Sequence, residues 1–110
     1  MAFKANIIVD QGTDFVTSLS VTDDDDAPID LSGYTGSAQF RKHYTSETST
    51  SFDVSFSAGS TGIINLSLSR DVTSNTEPGR YVYDVEVTSP ANKRSRLVEG
   101  ILTVTPEVTK

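Results

Sequence analysis

Polar and apolar residues alternate along several short segments of this chain, and this period of two restricts its fold more than any other feature. In the segment FDVSFS (52–57), Phe52, Val54 and Phe56 fall on one side and polar residues on the other. The same alternation occurs at 15–21, 63–69 and 80–87. Successive side chains of a β-strand point to opposite faces of a sheet, so each segment predicts a strand with one buried face.

Three further segments predict strands on less regular patterns, namely 3–9, 36–44 and 97–105. The last is apolar on both faces. We expect Val98, Leu102 and Val104 to face inward, and Gly100 to lie where another backbone comes close. Stretches rich in Gly, Pro, Asp and Ser separate the segments. Seven strands at this spacing predict an all-β, antiparallel β-sandwich, with room for one helical turn within 69–79.

Composition supports the same fold class and limits the function. Ser and Thr together supply 29 of the 110 residues, and Thr favours strands over helices. The length predicts a single domain, 1–110, with one modest core. The net charge of −6 and the pI of about 4.5 argue against a nucleic-acid-binding protein, which needs a net basic face.

A short basic cluster, Lys93-Arg94-Ser95-Arg96, stands out against this acidic background. It lies where a turn is expected between two strands. A solvated hairpin tip is therefore the favoured interpretation, and a docking patch for an acidic partner is the alternative.

The chain contains no cysteine, which excludes a disulfide scaffold, a thiolate zinc site and a cysteine nucleophile. Folding in a reducing cytoplasm is therefore expected. No apolar signal segment follows Met1, and no stretch is long and apolar enough to span a bilayer. We predict neither secretion by a standard signal peptide nor insertion into a membrane.

Residues that carry catalysis are scarce. His43 is the single histidine, and it stands among Arg41, Lys42 and Tyr44 near a polar loop, where a surface histidine is the favoured interpretation. The chain has no G-x-S-x-G elbow and no glycine-rich phosphate loop. Paired carboxylates for glycoside chemistry stay open, although a chain without Trp makes a poor sugar cleft. We predict a protein that is not an enzyme, with no catalytic, cofactor-binding or metal-binding residues.

Four consecutive aspartates, Asp23 to Asp26, raise the question of a calcium site. An EF-hand loop needs Gly at its sixth position and Glu at its twelfth. Counted from Asp23 these positions hold Pro28 and Tyr34, so that pattern fails. A different site, built on Asp24, Asp26 and Asp30 with acidic residues from another loop, is the alternative. Aspartates favour turns, and four like charges resist burial, so a solvated turn is the favoured interpretation.

The stretch EPGRYVYD (77–84) resembles the tyrosine corner of immunoglobulin-like domains. In that motif a tyrosine at the start of the penultimate strand donates its hydroxyl to the backbone just upstream. Tyr81 takes this position, and Tyr83 stands where antibody domains have a cysteine. The alternative is that Tyr81 is simply a core aromatic residue.

Five motifs in order resemble small virion proteins of tailed phages, and also the N-terminal domain of phage baseplate upper proteins. They are QG at 11–12, PIDLSGY at 28–34, GIINLSL at 62–68, PGRYVYD at 78–84 and RLVEGILTVTPEVT at 96–109. The resemblance covers the chain from about Gln11 to Thr109. It implies an immunoglobulin-like sandwich and a structural role in the virion, and it carries no catalytic residue.

We therefore expect a non-catalytic virion protein of the tail, baseplate or neck, which binds other phage structural proteins; a homo-oligomer stays open as well. A capsid decoration protein is one alternative. A carbohydrate- or host-receptor-binding module is another, with Tyr34 and Tyr44 as the aromatics predicted to be exposed. The strands at 97–105 and 3–9 are the predicted partner surface, with Ile101 and Ile8 as test positions.

Overall fold

A computed structural model describes residues 3–22, 27–56 and 62–108. Within these ranges the chain forms nine strands and one short helix. In chain order they are β1 Phe3–Lys4, β2 Ile7–Asp10, β3 Phe15–Ser20, β4 Thr35–Arg41, β5 Thr50–Ser51, β6 Asp53–Phe56, β7 Ile63–Leu68, α1 Arg70–Ser74, β8 Gly79–Thr88 and β9 Arg94–Thr105.

The strands form two sheets. The larger has the order β1–β9–β8–β4–β5, with β2 also paired to β9, and the smaller has the order β3–β7–β6. All neighbours pair antiparallel except β1 and β2, which run parallel to β9. The all-β sandwich is therefore confirmed, but one edge of the larger sheet is parallel rather than antiparallel as predicted.

The strand count exceeds the predicted seven because one predicted strand is divided and because β5 lies in a stretch that was predicted to separate two strands. The segment 3–9 is broken between β1 and β2. Around Phe52 the chain leaves the larger sheet at β5 and enters the smaller sheet at β6. Phe52 itself is buried, and its N–H donates to the carbonyl of Ala38 over 2.9 Å, which fixes the crossing point.

The core lies between the inner faces of the two sheets. Many side chains that the alternation predicts to face inward are buried in it: Ile7, Val9, Val21, Ala38, Phe40, Phe52, Ile64, Leu66, Leu68, Tyr83, Val85, Val87, Val98, Leu102 and Val104. Others predicted to face inward are partly buried and pack against this core: Ala5, Phe15, Leu19, Val54, Phe56 and Tyr81. Phe40 makes edge-on contacts with Phe52 and Tyr81, at ring-centre distances of 5.5 and 5.2 Å. Such pairs add to the area that each ring buries, so Phe52 at the crossing is packed against β4 of the larger sheet.

The predicted helical turn is α1. The Ser69 side chain accepts a hydrogen bond from the Val72 N–H and so caps the helix. The buried Thr73 hydroxyl donates to the Thr13 carbonyl over 2.8 Å. Gln11 joins the same end of the sandwich to the chain after β9, because it donates to the Thr76 carbonyl and accepts from the Glu107 N–H.

The break between β1 and β2 is local, because both strands keep the same register against β9. The Ala5 carbonyl accepts the Tyr83 hydroxyl over 2.6 Å. The Ile101 N–H donates instead to the Asn6 side chain over 3.2 Å. Gly100 makes this possible, since a Cβ there would lie 1.9 Å from the Ala5 oxygen. The close backbone approach predicted at Gly100 is confirmed.

We predict that Gly100→Ala lowers the free energy of unfolding by about 1–3 kcal/mol, because its methyl group would collide with backbone that cannot easily move. Gly36→Ala is a matched control in β4 of the same sheet. There a Cβ would meet only side-chain atoms of Phe56 and Val54, at 2.9 and 3.0 Å, so we expect a smaller loss. Chemical denaturation measures both variants. Equal losses would contradict this role of Gly100.

Candidate interaction surface

The outer face of the larger sheet carries exposed aliphatic side chains. Ile8 in β2 is 68% exposed and Ile101 in β9 is 41% exposed. Ile101 lies opposite Val82 of β8. We call these three residues the isoleucine face. The two strands predicted as a partner surface therefore lie side by side, with both test residues exposed on one face.

A charged cluster borders the isoleucine face. Asp84 lies opposite Glu99 across β8 and β9. Arg96 joins them, with its Nε 3.3 Å from Asp84 and its Nη1 3.0 Å from Glu99. Partial burial raises the pKa of Asp84, and the charge of Arg96 opposes that shift. The hydrogen bond to Glu99 and the charge of Asp84 raise the pKa of Arg96, so the guanidinium stays protonated.

The basic cluster is only partly a hairpin tip. Lys93 closes the turn between β8 and β9, where its carbonyl accepts the Ser89 N–H over 2.8 Å. Asn92 occupies the left-handed conformation in this turn, with φ of 64°. Arg94 and Arg96 already belong to β9, so the turn between β8 and β9 is shorter than the sequence predicts. All of these side chains are exposed, as expected.

A shallow groove of about 280 Å³ lies beside the charged cluster on the same face. Its lining comprises Gln39, Arg41, Tyr44, Val82, Tyr83, Asp84, Glu86 and Arg96. Tyr44 is 70% exposed, as predicted. Tyr34, the other aromatic predicted to be exposed, is half-buried and packs against the core. The groove therefore offers one exposed ring with charged and amide groups around it.

The remaining residues considered for chemistry do not assemble into a site. His43 is exposed in the loop after β4, where its N–H donates to the Ser46 hydroxyl. Asp30 accepts the Ser32 N–H over 3.0 Å as in a turn, and hydrogen bonds from Ser32 lower the pKa of its carboxyl. Asp23 to Asp26 lie outside the described residues. Among residues 3–22, 27–56 and 62–108, no three acidic, His or Cys side chains group as metal ligands.

Two tyrosines anchor the backbone beneath this face. The Tyr81 hydroxyl donates to the Glu77 carbonyl over 2.6 Å, so the predicted hydrogen bond is confirmed. Burial, with the charge of Glu77, raises the pKa of Tyr81. The bond from Tyr83 to Ala5 was not predicted. The feature that could have indicated this bond is a glycine, Gly100, directly opposite a tyrosine, Tyr83, on the neighbouring strand.

Comparisons with known proteins identify the fold only. No family model and no curated protein matches this sequence. An internalin-like protein of Listeria monocytogenes is similar with a TM-score of 0.53 and 19% identity, over 94% of this chain and 28% of that one. The chain thus spans little more than a quarter of that protein.

Two other solved structures are similar at lower scores. The major subunit of aggregative adherence fimbriae type I from Escherichia coli has a TM-score of 0.45 and 11% identity, over 91% of this chain and 89% of that one. A family 123 glycoside hydrolase from Clostridium perfringens has a TM-score of 0.42 and 15% identity, over 97% and 24%. In the described part of this chain, no helix has the length and hydrophobicity to cross a membrane.

We predict that alkaline pH destabilises the protein through Tyr83. The side chain is 2% exposed, and burial raises its pKa from 10.0 to about 12. Because the folded state holds this proton more tightly than the unfolded state, the stabilisation is complete below pH 10 and is lost as pH rises toward 12.

Tyr83→Phe tests this dependence. The variant loses the bond to Ala5, so its free energy of unfolding at neutral pH should fall by about 1–3 kcal/mol. Between pH 10 and about 12 it should lose less further stability than the wild type, because it has no phenol to ionise at this position. Denaturant titrations at several pH values measure both effects. Parallel pH profiles for the two proteins would contradict the prediction.

Proposed function

We propose that this protein is a non-catalytic structural component of a tailed-phage particle, located in the tail, baseplate or neck, and that it acts through contacts with other structural proteins. The observation that carries the proposal is the isoleucine face. An aliphatic side chain that is as exposed as Ile8 loses contact with water when a partner covers it. Each such burial favours association.

The proposed arrangement is immunoglobulin-like. The order β1–β9–β8–β4 in one sheet and β3–β7–β6 in the other is compatible with it. The bond from Tyr81 to Glu77 also supports it, since immunoglobulin-like domains use a tyrosine near the start of the penultimate strand in this way. Such a domain presents whole sheet faces and edges for assembly, which suits a particle built from many copies.

The resemblance of the five motifs to phage virion proteins supplies the biological setting. It implies synthesis in the host cytoplasm and incorporation into the virion. A capsid decoration protein is the alternative within the same class. Mass spectrometry of separated heads and tails distinguishes them, because a decoration protein would be recovered with the heads.

We predict that Ile8→Asp and Ile101→Asp each reduce incorporation into particles by at least about tenfold, since each places a charge inside an apolar contact. Val16→Asp is the matched control, because Val16 is 72% exposed in β3 of the smaller sheet, away from this face. The measurement is the amount of each variant in purified particles relative to its amount in the cell, with folding checked by circular dichroism.

Normal incorporation of both isoleucine variants would refute the choice of surface. A stronger loss for Val16→Asp would indicate that the smaller sheet makes the contact. Absence of the wild-type protein from purified particles would refute the proposed function itself.

A carbohydrate-binding module is a second candidate, favoured by Tyr44 at the groove. An exposed ring can stack on the face of a sugar, and Asp84, Glu86 and Arg41 can hydrogen-bond its hydroxyls. We predict that Tyr44→Ala abolishes any binding on a glycan array while leaving the melting temperature unchanged, because the side chain is 70% exposed. An array without signal for the wild type removes this candidate.

A further inference from the structure

We propose that the outer edge of the segment from Lys4 to Asp10, which comprises β2 and the end of β1, pairs antiparallel with the same edge of a second copy, which joins the two larger sheets into one continuous sheet across a two-fold axis. This inference deepens the proposed structural role by naming one partner, and it rests on that role for its biological setting. The carrying observations are the free backbone edge of β2, its charge pattern and the exposure of Ile8.

The edge of β2 is open within the described residues. In the larger sheet β1 and β2 pair with β9 alone. The N–H groups of Ala5 and Gln11 donate to carbonyls of β9. Backbone groups of a strand alternate between its two sides, so odd-numbered residues bond to β9. The N–H and C=O of Ile8 therefore face away from β9, and they form a template for another strand.

The side chains of the even-numbered residues lie on the outer face. Lys4, Asn6, Ile8 and Asp10 are all exposed, whereas Ile7 and Val9 are buried. The direction of the side chains and the direction of the backbone groups both alternate with a period of two residues. In β2 the residues whose backbone groups are free are therefore also those whose side chains are exposed. A partner strand would therefore gain backbone hydrogen bonds and side-chain contacts at the same positions.

Charge complementarity selects the partner and the register. A two-fold axis through Ile7 places Lys4 of one copy opposite Asp10 of the other, and Ile8 opposite Asn6. Directly opposed residues of unlike charge attract across antiparallel strands. A shift of the axis to Ile8 would place Asp10 opposite Asn6 and Lys4 opposite Gly12, so that neither charge has a counterpart. The self-paired edge thus favours a single register.

Asp10 is exposed at this edge, and its Oδ1 accepts the Thr105 hydroxyl of β9 over 2.8 Å. Ile8 would pack beside Asn6 of the other copy. The contact is small, because the paired edge extends only from Lys4 to Asp10, and we expect a weak dimer that forms at high local concentration.

Sedimentation equilibrium of the purified protein, from about 10 µM to about 1 mM, tests the pairing. The expected result is a concentration-dependent dimer. Lys4→Asp and Asp10→Lys should each weaken dimerisation by about tenfold, because each replaces two attractive pairs with two repulsive ones. The double variant, which restores unlike pairs, should return to within about threefold of the wild type.

Ile8→Pro provides an independent test of the backbone edge. Proline removes the Ile8 N–H, which faces away from β9, so the fold should persist while dimerisation is lost. Ile8→Thr is the matched control, since it keeps both the N–H and a β-branched side chain, and it should still dimerise. Circular dichroism and denaturant titration establish that each variant is folded.

A wild-type protein that stays monomeric at the highest concentration would overturn the proposal, and so would a folded Ile8→Pro variant that dimerises like the wild type. No recovery in the charge-swapped double variant would overturn the register. These results are independent of the phage assignment, because absence from purified particles would refute the virion role without affecting sedimentation.

Discussion

The hydrogen bond from the Tyr83 hydroxyl to the Ala5 carbonyl is the constraint on which the larger sheet depends. It reaches from β8 past β9 to the break between β1 and β2, and it is possible because Gly100 has no side chain between them. Because the Ala5 carbonyl accepts the Tyr83 hydroxyl, the Ile101 N–H donates to the Asn6 side chain instead. These two bonds thus tie β8 and β9 to the break between β1 and β2. In the described residues no buried side-chain polar atom lacks a partner.

The sequence predicts the faces of the strands better than their partners. Period-two alternation identifies which side of each strand is buried, so Tyr83, Val85 and Val87 are correctly placed in the core. Alternation contains no information on strand direction, and the parallel pairing of β2 with β9 was therefore not predicted. The crossing at Phe52 was not predicted, because β5 comprises only Thr50 and Ser51 and the regular alternation begins after it, at Phe52.

The candidate surface was predicted in part. Ile8 and Ile101 alternate with inward residues along their strands, and the segment 97–105 was identified as apolar on both faces. The link that Arg96 makes to Asp84 and Glu99 depends on a register that is irregular between Val85 and Glu86. A bulge of this kind shifts one strand against its neighbour by one residue, and a single sequence does not determine where that occurs.

The pairing of β2 with β9 joins residues about 95 positions apart, as the bond from Ile101 to Asn6 illustrates. Closing a loop of that length has a larger entropic cost than forming the β8–β9 hairpin, whose strands are adjacent in the chain. The edge strand should therefore dock late in folding and open early when the native state fluctuates. Its amide protons would exchange with solvent before those of the hairpin. An opened β2 would also leave β9 free to accept the same strand from a neighbouring molecule, a route to strand exchange built into the connectivity.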